Sequence, residues 1–223
     1  RGALTSDANG SVFIGADSGY KVSTGQKNVV VGGYAFDNST EQDYNTAIGH
    51  EALSAEDAHG TNTAIGHLTL RAQNAGADAY NTAVGYTAGL NISTGVENVL
   101  IGGLAGDALL TGSRNIAIGH SALGTADGSE GRNVAIGYNA LAAMDTDGNA
   151  YTTAVGYAAG AAISSGVENT IFGALAGDAI LGGSSNTLIG VHAGGELTSG
   201  SVNVAIGHSA LQNETGYGHC VAI

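Results

Sequence analysis

The chain has 223 residues, a net charge of −13 with only six Lys and Arg, and 38 glycines with neither proline nor tryptophan. The shortage of basic side chains excludes a nucleic-acid-binding surface, which needs a stripe of Lys and Arg against the phosphates, and no apolar run is long enough for membrane insertion. The shortage of bulky side chains excludes a conventional globular core and indicates a repetitive fold.

One short repeat builds the whole chain, and its clearest copy is residues 115–123, Asn-Ile-Ala-Ile-Gly-His-Ser-Ala-Leu. The glycine of this motif recurs every 17 to 19 residues and defines position 0 of each coil. A period of this length is typical of stacked repeat architectures. We therefore predict an all-β fold, a parallel β-roll or β-solenoid of about 17-residue coils, as a single unit over residues 1–223. The twelve closing glycines are Gly15, Gly32, Gly49, Gly66, Gly85, Gly102, Gly119, Gly137, Gly156, Gly173, Gly190 and Gly207.

The residues before each closing glycine predict a strand. Positions −3 and −1 are mostly β-branched, as at Ile116 and Ile118, and position −2 is usually small, as at Ala117. Side chains alternate along a strand, and β-branched rows are typical of a buried sheet face. We therefore predict that positions −3 and −1 form the thin core, so that Ile118→Asp is among the most damaging substitutions. Glu130 is predicted to be exposed, and its replacement by alanine nearly silent.

Position −4 is asparagine in ten of the twelve coils. Stacked strands would place these amides one above another, where each can donate to and accept from its neighbours. The interpretation is structural rather than catalytic. The predicted asparagine ladder comprises Asn28, Asn45, Asn62, Asn81, Asn98, Asn115, Asn133, Asn169, Asn186 and Asn203.

A second segment follows each closing glycine. Position +3 is alanine in ten coils, position +4 is glycine or leucine in all but one, and the most regular coils have an apolar residue at +7 and a second glycine at +10. Glycine suits the positive φ of tight corners. Each coil is therefore predicted to contain two short strands joined by glycine corners, which gives a flattened β-roll.

A longer repeat of 70 or 71 residues overlies the short one. It predicts four-coil blocks at about 11–79, 80–150 and 151–215, with longer loops before Asn81, Asn133 and Thr152. Residues 220–223 occupy positions −4 to −1 of a thirteenth coil. We therefore expect the chain to be a fragment of a longer fibre.

The motifs NTAIGHEAL, NVAIGYNAL and NVAIGHSAL, at residues 45–53, 133–141 and 203–211, resemble the head repeats of trimeric autotransporter adhesins (YadA-like). Related motifs occur in bacteriophage tail-fibre proteins, and the resemblance covers essentially the whole chain. It implies a left-handed parallel β-roll assembled as a homotrimer, intertwined or side by side. The family's head repeat is typically shorter than this one, so longer turns are expected here.

The resemblance also implies a function. We expect a non-catalytic extracellular fibre segment, either an adhesin head or a structural shaft, for attachment to surfaces or host cells. Its partner would be a surface glycan or a host or matrix protein. The alternative is a tail-fibre segment of a virion that takes part in recognising a host receptor. Since Ser, His and Asp recur with the period and form no unique cluster, we predict no catalytic residues and no enzymatic activity.

Position +1 carries histidine or tyrosine in seven coils and has no core role in the predicted roll. These residues, with the loops 51–60, 74–80 and 142–150, are the predicted contact points. The alternative is a polar and aromatic exterior row that binds nothing. The candidates at +1 are His50, His67, Tyr86, His120, Tyr138, Tyr157 and His208.

One loop has the composition of half a calcium site. Asp145, Asp147 and Asn149 place oxygen ligands at alternate positions beside a glycine, as calcium loops do. A later bidentate glutamate is missing, so a solvated turn is the alternative interpretation. We predict that any calcium dependence traces to these three residues, and we predict no other cofactor.

Overall fold

The computed structural model of the chain describes residues 10–55, 60–126 and 128–223, and these ranges contain strands and turns but no helix. Thirteen short strands pair in parallel, each with its neighbours in sequence, in one sheet. This confirms the predicted parallel β-solenoid. The strands are β1 (Val12–Ile14), β2 (Val29–Val31), β3 (Thr46–Ile48), β4 (Thr63–Ile65), β5 (Thr82–Val84), β6 (Val99–Ile101), β7 (Ile116–Ile118), β8 (Val134–Ile136), β9 (Thr153–Val155), β10 (Thr170–Phe172), β11 (Thr187–Ile189), β12 (Val204–Ile206) and β13 (Val221–Ala222).

The strands stack in register, position on position. Thr46 lies opposite Thr63 in a 17-residue step, and Thr63 lies opposite Thr82 although that coil is 19 residues long. The extra residues are therefore accommodated in loops and leave the sheet unchanged. The period seen in the sequence is the stacking step of the sheet.

The buried and exposed faces of the strands are the reverse of those predicted. The side chain of Ala117, at position −2, is completely buried, whereas Ile116 is 37% exposed and Ile118 is only partly buried. The chain turns back over the −2 side of each strand, so that side is enclosed, and a coil this narrow has room there mainly for small residues. The prediction that Ile118 lies in the core of the chain was wrong. Positions −3 and −1 form a face that we call the outer strand face.

The core inside each coil is filled by side chains of compensating size. Where position −2 is large, position +4 is usually glycine: a β-carbon at Gly106 would lie 2.9 Å from Leu100 Cδ2, and one at Gly177 would lie 2.7 Å from Leu188 Cδ1 of the next coil. Where position −2 is alanine, position +4 is usually a buried leucine such as Leu123. Core density is thus maintained by exchanging volume between two positions of the coil.

Each closing glycine is required by the stacking itself. At Gly49 the backbone φ is +140°, and a β-carbon there would lie 2.2 Å from the carbonyl oxygen of Gly66. Any side chain would therefore push successive coils apart. This explains why glycine occupies position 0 throughout.

The segment after the closing glycine is a series of turns and not a second strand. Positions +2 and +4 adopt left-handed φ angles, for example +53° at Ser121 and +51° at Leu123. Extended strands need strongly negative φ, so the prediction of two strands per coil was wrong. The turns still bond coil to coil, since the Leu123 N–H donates to the Ala140 carbonyl at 3.1 Å.

The asparagine ladder is present and completely enclosed. The backbone N–H of Asn115 donates to Asn98 Oδ1 at 2.9 Å, while Asn98 Nδ2 donates to the carbonyl of Gly112 at 2.9 Å. The amide of Asn98 thus satisfies a backbone donor and a backbone acceptor that the corner would otherwise leave buried and unpaired. At Thr152 the row changes residue type, and the Thr152 N–H donates to Asn133 Oδ1 at 3.0 Å.

Candidate functional surfaces

The histidine and tyrosine side chains at position +1 form two stacked rows. His50 stacks on His67 with ring centroids 5.5 Å apart, and His67 stacks on Tyr86 at 5.4 Å. We call these three residues the first aromatic ladder. Parallel strands bring the same coil position into line, so the rings meet face to face.

The second aromatic ladder comprises His120, Tyr138 and Tyr157. The centroid distances are 5.6 Å between His120 and Tyr138 and 5.4 Å between Tyr138 and Tyr157. Tyr86 and Tyr157, the last ring of each ladder, are both more than half exposed. The sequence prediction therefore identified six side chains that the fold collects into two exposed aromatic surfaces.

The remaining candidate, His208, belongs to neither ladder. Its ring makes an edge contact with His192, with centroids 6.3 Å apart. His192 stands at position +2, which the sequence analysis did not single out. His208 and His120 share one local feature, a serine hydroxyl 3.0 Å from Nδ1, from Ser209 and Ser121 respectively.

The first ladder is bordered by charged groups. Glu51 lies between His50 and Arg71, with Oε1 at 3.7 Å from His50 Nδ1 and Oε2 at 2.8 Å from Arg71 Nε. The loop 51–60, which contains Glu51, falls partly outside the described residues, because 56–59 are not among them.

A second exposed row, at position −5, was missed by the sequence analysis. Lys27 Nζ donates to the Tyr44 hydroxyl at 2.9 Å, and this hydrogen bond raises the pKa of Lys27. Arg132 donates to the Tyr151 hydroxyl at 2.7 Å. The signal was available, since cations and tyrosines recur one coil apart at this position. The surface ion pair of Glu97 with Arg114 lies in the same row, with Arg114 Nε 2.7 Å from Glu97 Oε2.

The outer strand face is uncharged and largely apolar. Position −1 is apolar in every coil, and no strand contains a charged residue. Ile14, Ile101, Phe172 and Ile189 are all exposed on this face. Contiguous apolar surface of this kind is uncommon on monomeric soluble proteins and marks interaction sites.

Three aspartates, each at position +5 of its coil, are partly buried. Burial raises the pKa of Asp37, Asp107 and Asp178 above the ordinary aspartate value, and each residue's own backbone hydrogen bond opposes the rise. His120 and His192 also oppose it at Asp107 and Asp178.

The predicted calcium loop lies directly over Glu130, and the prediction for the exposure of Glu130 was wrong. Glu130 was predicted to be exposed, but its side chain is completely buried. The 18-residue coil that carries it turns the segment after Gly128 inward, beneath the next loop, where Gly131 pairs with Asn149. Asp145, Asp147 and Asn149 are exposed around this point.

No three His, Cys, Asp or Glu side chains in residues 10–55, 60–126 and 128–223 are grouped as a metal site. These same ranges contain no helix that is long and apolar enough to cross a membrane. Comparison of the chain with protein-family models, with curated proteins and with solved structures gave no match.

Proposed function

We propose that the chain is a non-catalytic segment of an extracellular attachment fibre, and that it works as a parallel homotrimer. The observation that carries the proposal is the outer strand face, an uncharged row that runs the length of the stacked sheet. A net charge of −13 is borne by the rest of the chain, so this face is the one that gains most from leaving water.

Three copies of the chain around a common axis would cover all three outer faces at once. Because the face has the same composition in every coil, the covering surface must itself be long, straight and repetitive, and a second copy of the chain has that form. The contacts in such a trimer are heterologous, and they form a closed ring because the rotation from one chain to the next is one third of a turn. The resemblance of the NVAIGHSAL-type motifs to trimeric adhesin heads supports the same arrangement.

The attachment role is supported by the two aromatic ladders. They stand at position +1, beyond the closing glycine from the outer strand face, and in the proposed trimer they remain exposed. Stacked His and Tyr rings offer both apolar faces and polar edges, a combination enriched in protein contact sites and suited to sugars. Three copies on one fibre would present the ladders together, so weak contacts would add through effective concentration.

The assembly is tested by the solution mass of the purified chain. We expect a species of three 21.8 kDa chains by light scattering. The double variant Ile101→Lys with Ile118→Lys should dissociate it, because the two charges would be buried against the partner chains. Leu110→Lys, on an apolar residue that is exposed elsewhere on the coil, is the matched control and should leave the mass unchanged. A wild-type mass of one chain would refute the trimer.

The attachment role is tested by binding to host cells, glycan arrays and matrix proteins. Replacing Tyr86 and Tyr157 together by alanine should abolish binding, whereas Tyr20→Ala, a tyrosine of similar exposure outside the ladders, should not. If the wild-type trimer binds none of these targets while the complete fibre does, the segment is a shaft. The flanking parts of the complete reading frame then distinguish a bacterial surface anchor from a virion attachment domain.

A further inference from the structure

Glu130 carries a buried carboxylate, and only one of its two oxygens accepts a hydrogen bond among the described residues. Its side chain is completely buried, and Oε2 accepts a hydrogen bond from the Gly128 N–H at 3.1 Å. Oε1 has no hydrogen-bond partner among the described residues. A buried carboxylate is strongly unfavourable unless a positive group or several donors face it.

The loop of the next coil closes over this carboxylate. The Gly131 N–H donates to the Gly148 carbonyl at 3.1 Å, and the Ala150 N–H returns a bond to the Gly131 carbonyl at 3.2 Å. These two bonds hold residues 145–150 directly above residues 128–131. The acidic side chains of that loop are therefore positioned by backbone contacts against the coil that carries Glu130.

A second carboxylate faces the same point as Glu130. A β-carbon built on Gly128 would lie 3.1 Å from Glu130 Oε1, 3.2 Å from Asp147 Oδ1 and 3.7 Å from Glu130 Oε2. Two carboxylates from consecutive coils thus converge on the space left by a glycine. Asn149, on the same loop as Asp147, has its Oδ1 2.6 Å from the position of a β-carbon on Gly131.

The neighbouring cations are engaged with other residues. Arg132 donates to Tyr151 and packs over its ring, with the guanidinium carbon 5.4 Å from the ring centroid. Arg114 pairs with Glu97. The like charges of Glu130 and Asp147 therefore face each other with no described side-chain cation between them.

We propose that Glu130 and Asp147 bind one divalent cation, calcium, and that the ion bridges two successive coils, with Asn149 Oδ1 as a further ligand. The available groups are carboxylate, amide and backbone carbonyl oxygens with no nitrogen or sulfur, which is the ligand set of hard cations. Calcium takes a larger and more flexible oxygen shell than magnesium, and the exposed loop above Glu130 admits water to complete it. Glu130 supplies the acidic ligand that the loop lacks in sequence.

The first block of the chain contains a natural counterpart without this arrangement. Gly76 stands at the position of Asp147, and Asp78 at that of Asn149. The Asp78 carboxylate accepts from the Gly60 N–H at 3.4 Å. The counterpart loop thus has the same place in the coil but lacks the second converging carboxylate, which makes Asp78→Asn the matched control.

The proposal is tested on the full chain by calorimetric titration with calcium and by thermal unfolding in calcium or chelator. We expect one calcium ion per chain, a higher melting temperature in millimolar calcium, and weaker binding of magnesium. Glu130→Gln and Asp147→Asn should each weaken binding by about tenfold or more, since loss of even an outer-shell partner has effects of that size. Asp78→Asn should bind as the wild type does.

Glu130→Gln also provides a readout that a merely structural role would not produce. In chelator the variant should melt at or above the wild-type temperature, because an uncompensated buried charge has been removed. In calcium the order should reverse. Wild-type protein that takes up no calcium overturns the proposal, as does a Glu130→Gln or Asp147→Asn variant that binds calcium with wild-type affinity, since the ion would then sit elsewhere on the acidic surface.

Discussion

Residues 73–81 and 144–152 are equivalent loops of two successive blocks, yet their buried contacts differ in kind. In the first loop, Asn81 Nδ2 donates to Gln73 Oε1 at 2.9 Å, and both residues are buried. In the second loop the equivalent positions are Met144 and Thr152, which are also buried. A hydrogen-bonded pair in the first loop is replaced in the second loop by an apolar residue and a smaller polar one, so the bond between Gln73 and Asn81 is absent there together with both of its partners.

The difference between the two loops does not alter the pairing of the strands that follow them. β5 follows the first loop and β9 follows the second, and both strands keep the register of their neighbours. The local consequence appears in the ladder instead, where Asn133 Nδ2 has no hydrogen-bond partner among the described residues. Elsewhere in the ladder the amide of Asn98, which stands at position −4 of another coil, donates to a corner carbonyl. The coils therefore still stack when their loops differ, provided that the strands and closing glycines keep the same positions in each coil.

The largest expected loss of stability comes from a substitution at position −2, the buried strand position that both regions share. Ala83 and Ala154 are the fully buried −2 residues of β5 and β9. Ala83→Asp and Ala154→Asp should each destabilise the fold by more than about 4 kcal/mol, because an unpaired charge enters a core with no spare volume. Urea unfolding measures the loss. Tyr20→Asp, on an exposed side chain outside the aromatic ladders, should change it little, and an equally mild Ala154→Asp would contradict the inward assignment of position −2.

The exchange of the buried pair can be reversed by mutation. Met144→Gln alone should cost about 1–3 kcal/mol, because it buries an amide without a partner. Adding Thr152→Asn should recover part of that loss through a bond like that of Gln73 with Asn81, with a coupling energy of about 0.5–3 kcal/mol. A double-mutant cycle of unfolding free energies measures this coupling. Strictly additive effects would show that the two loops are not interchangeable.

The same dependence of stability on pH is expected at two aspartates, Asp107 and Asp178, each of which lies two coils beyond one of the loops. Burial raises the folded-state pKa of Asp107 and Asp178 above the ordinary value of 3.8, so ionisation of these groups opposes folding at neutral pH. Asp107→Asn and Asp178→Asn should therefore raise the melting temperature at pH 7. The advantage should fade as the pH falls through the raised pKa towards the ordinary value, where the native carboxyl groups become neutral. A gain that persists unchanged in acid would require another cause.

The smallest effect is expected at an exposed ion pair that only one block contains. Glu97 pairs with Arg114 at 2.7 Å, whereas in the next block Glu168 accepts a hydrogen bond from Ser185 at 3.2 Å. Arg114→Ser converts the first arrangement into the second and should cost about 0.2–1 kcal/mol, since both charges are exposed. High salt should remove most of this difference in denaturant unfolding. A larger, salt-independent loss would show that the Arg114 side chain acts through packing.

Local, repeated information in the sequence determined much of the fold. The recurring glycine gave the coil length, the alternation before it located strands such as β7, and the recurrence of asparagine at −4 predicted the ladder. The histidine and tyrosine row at +1 predicted which rings would align. These features could be predicted because parallel stacking turns equal positions in sequence into neighbours in space.

The tertiary structure alone decided which side of each strand is enclosed. Alternation distinguishes the face of Ala117 from that of Ile118, but the path of the chain around the coil determines which face lies inside, and that path depends on left-handed residues such as Ser121 and Leu123. The same non-local closure buried Glu130 beneath the loop of the next coil. Non-glycine residues carry no sequence signal for positive φ comparable to that of glycine, so the turns, and with them the inside of the coil, were settled only by packing between coils.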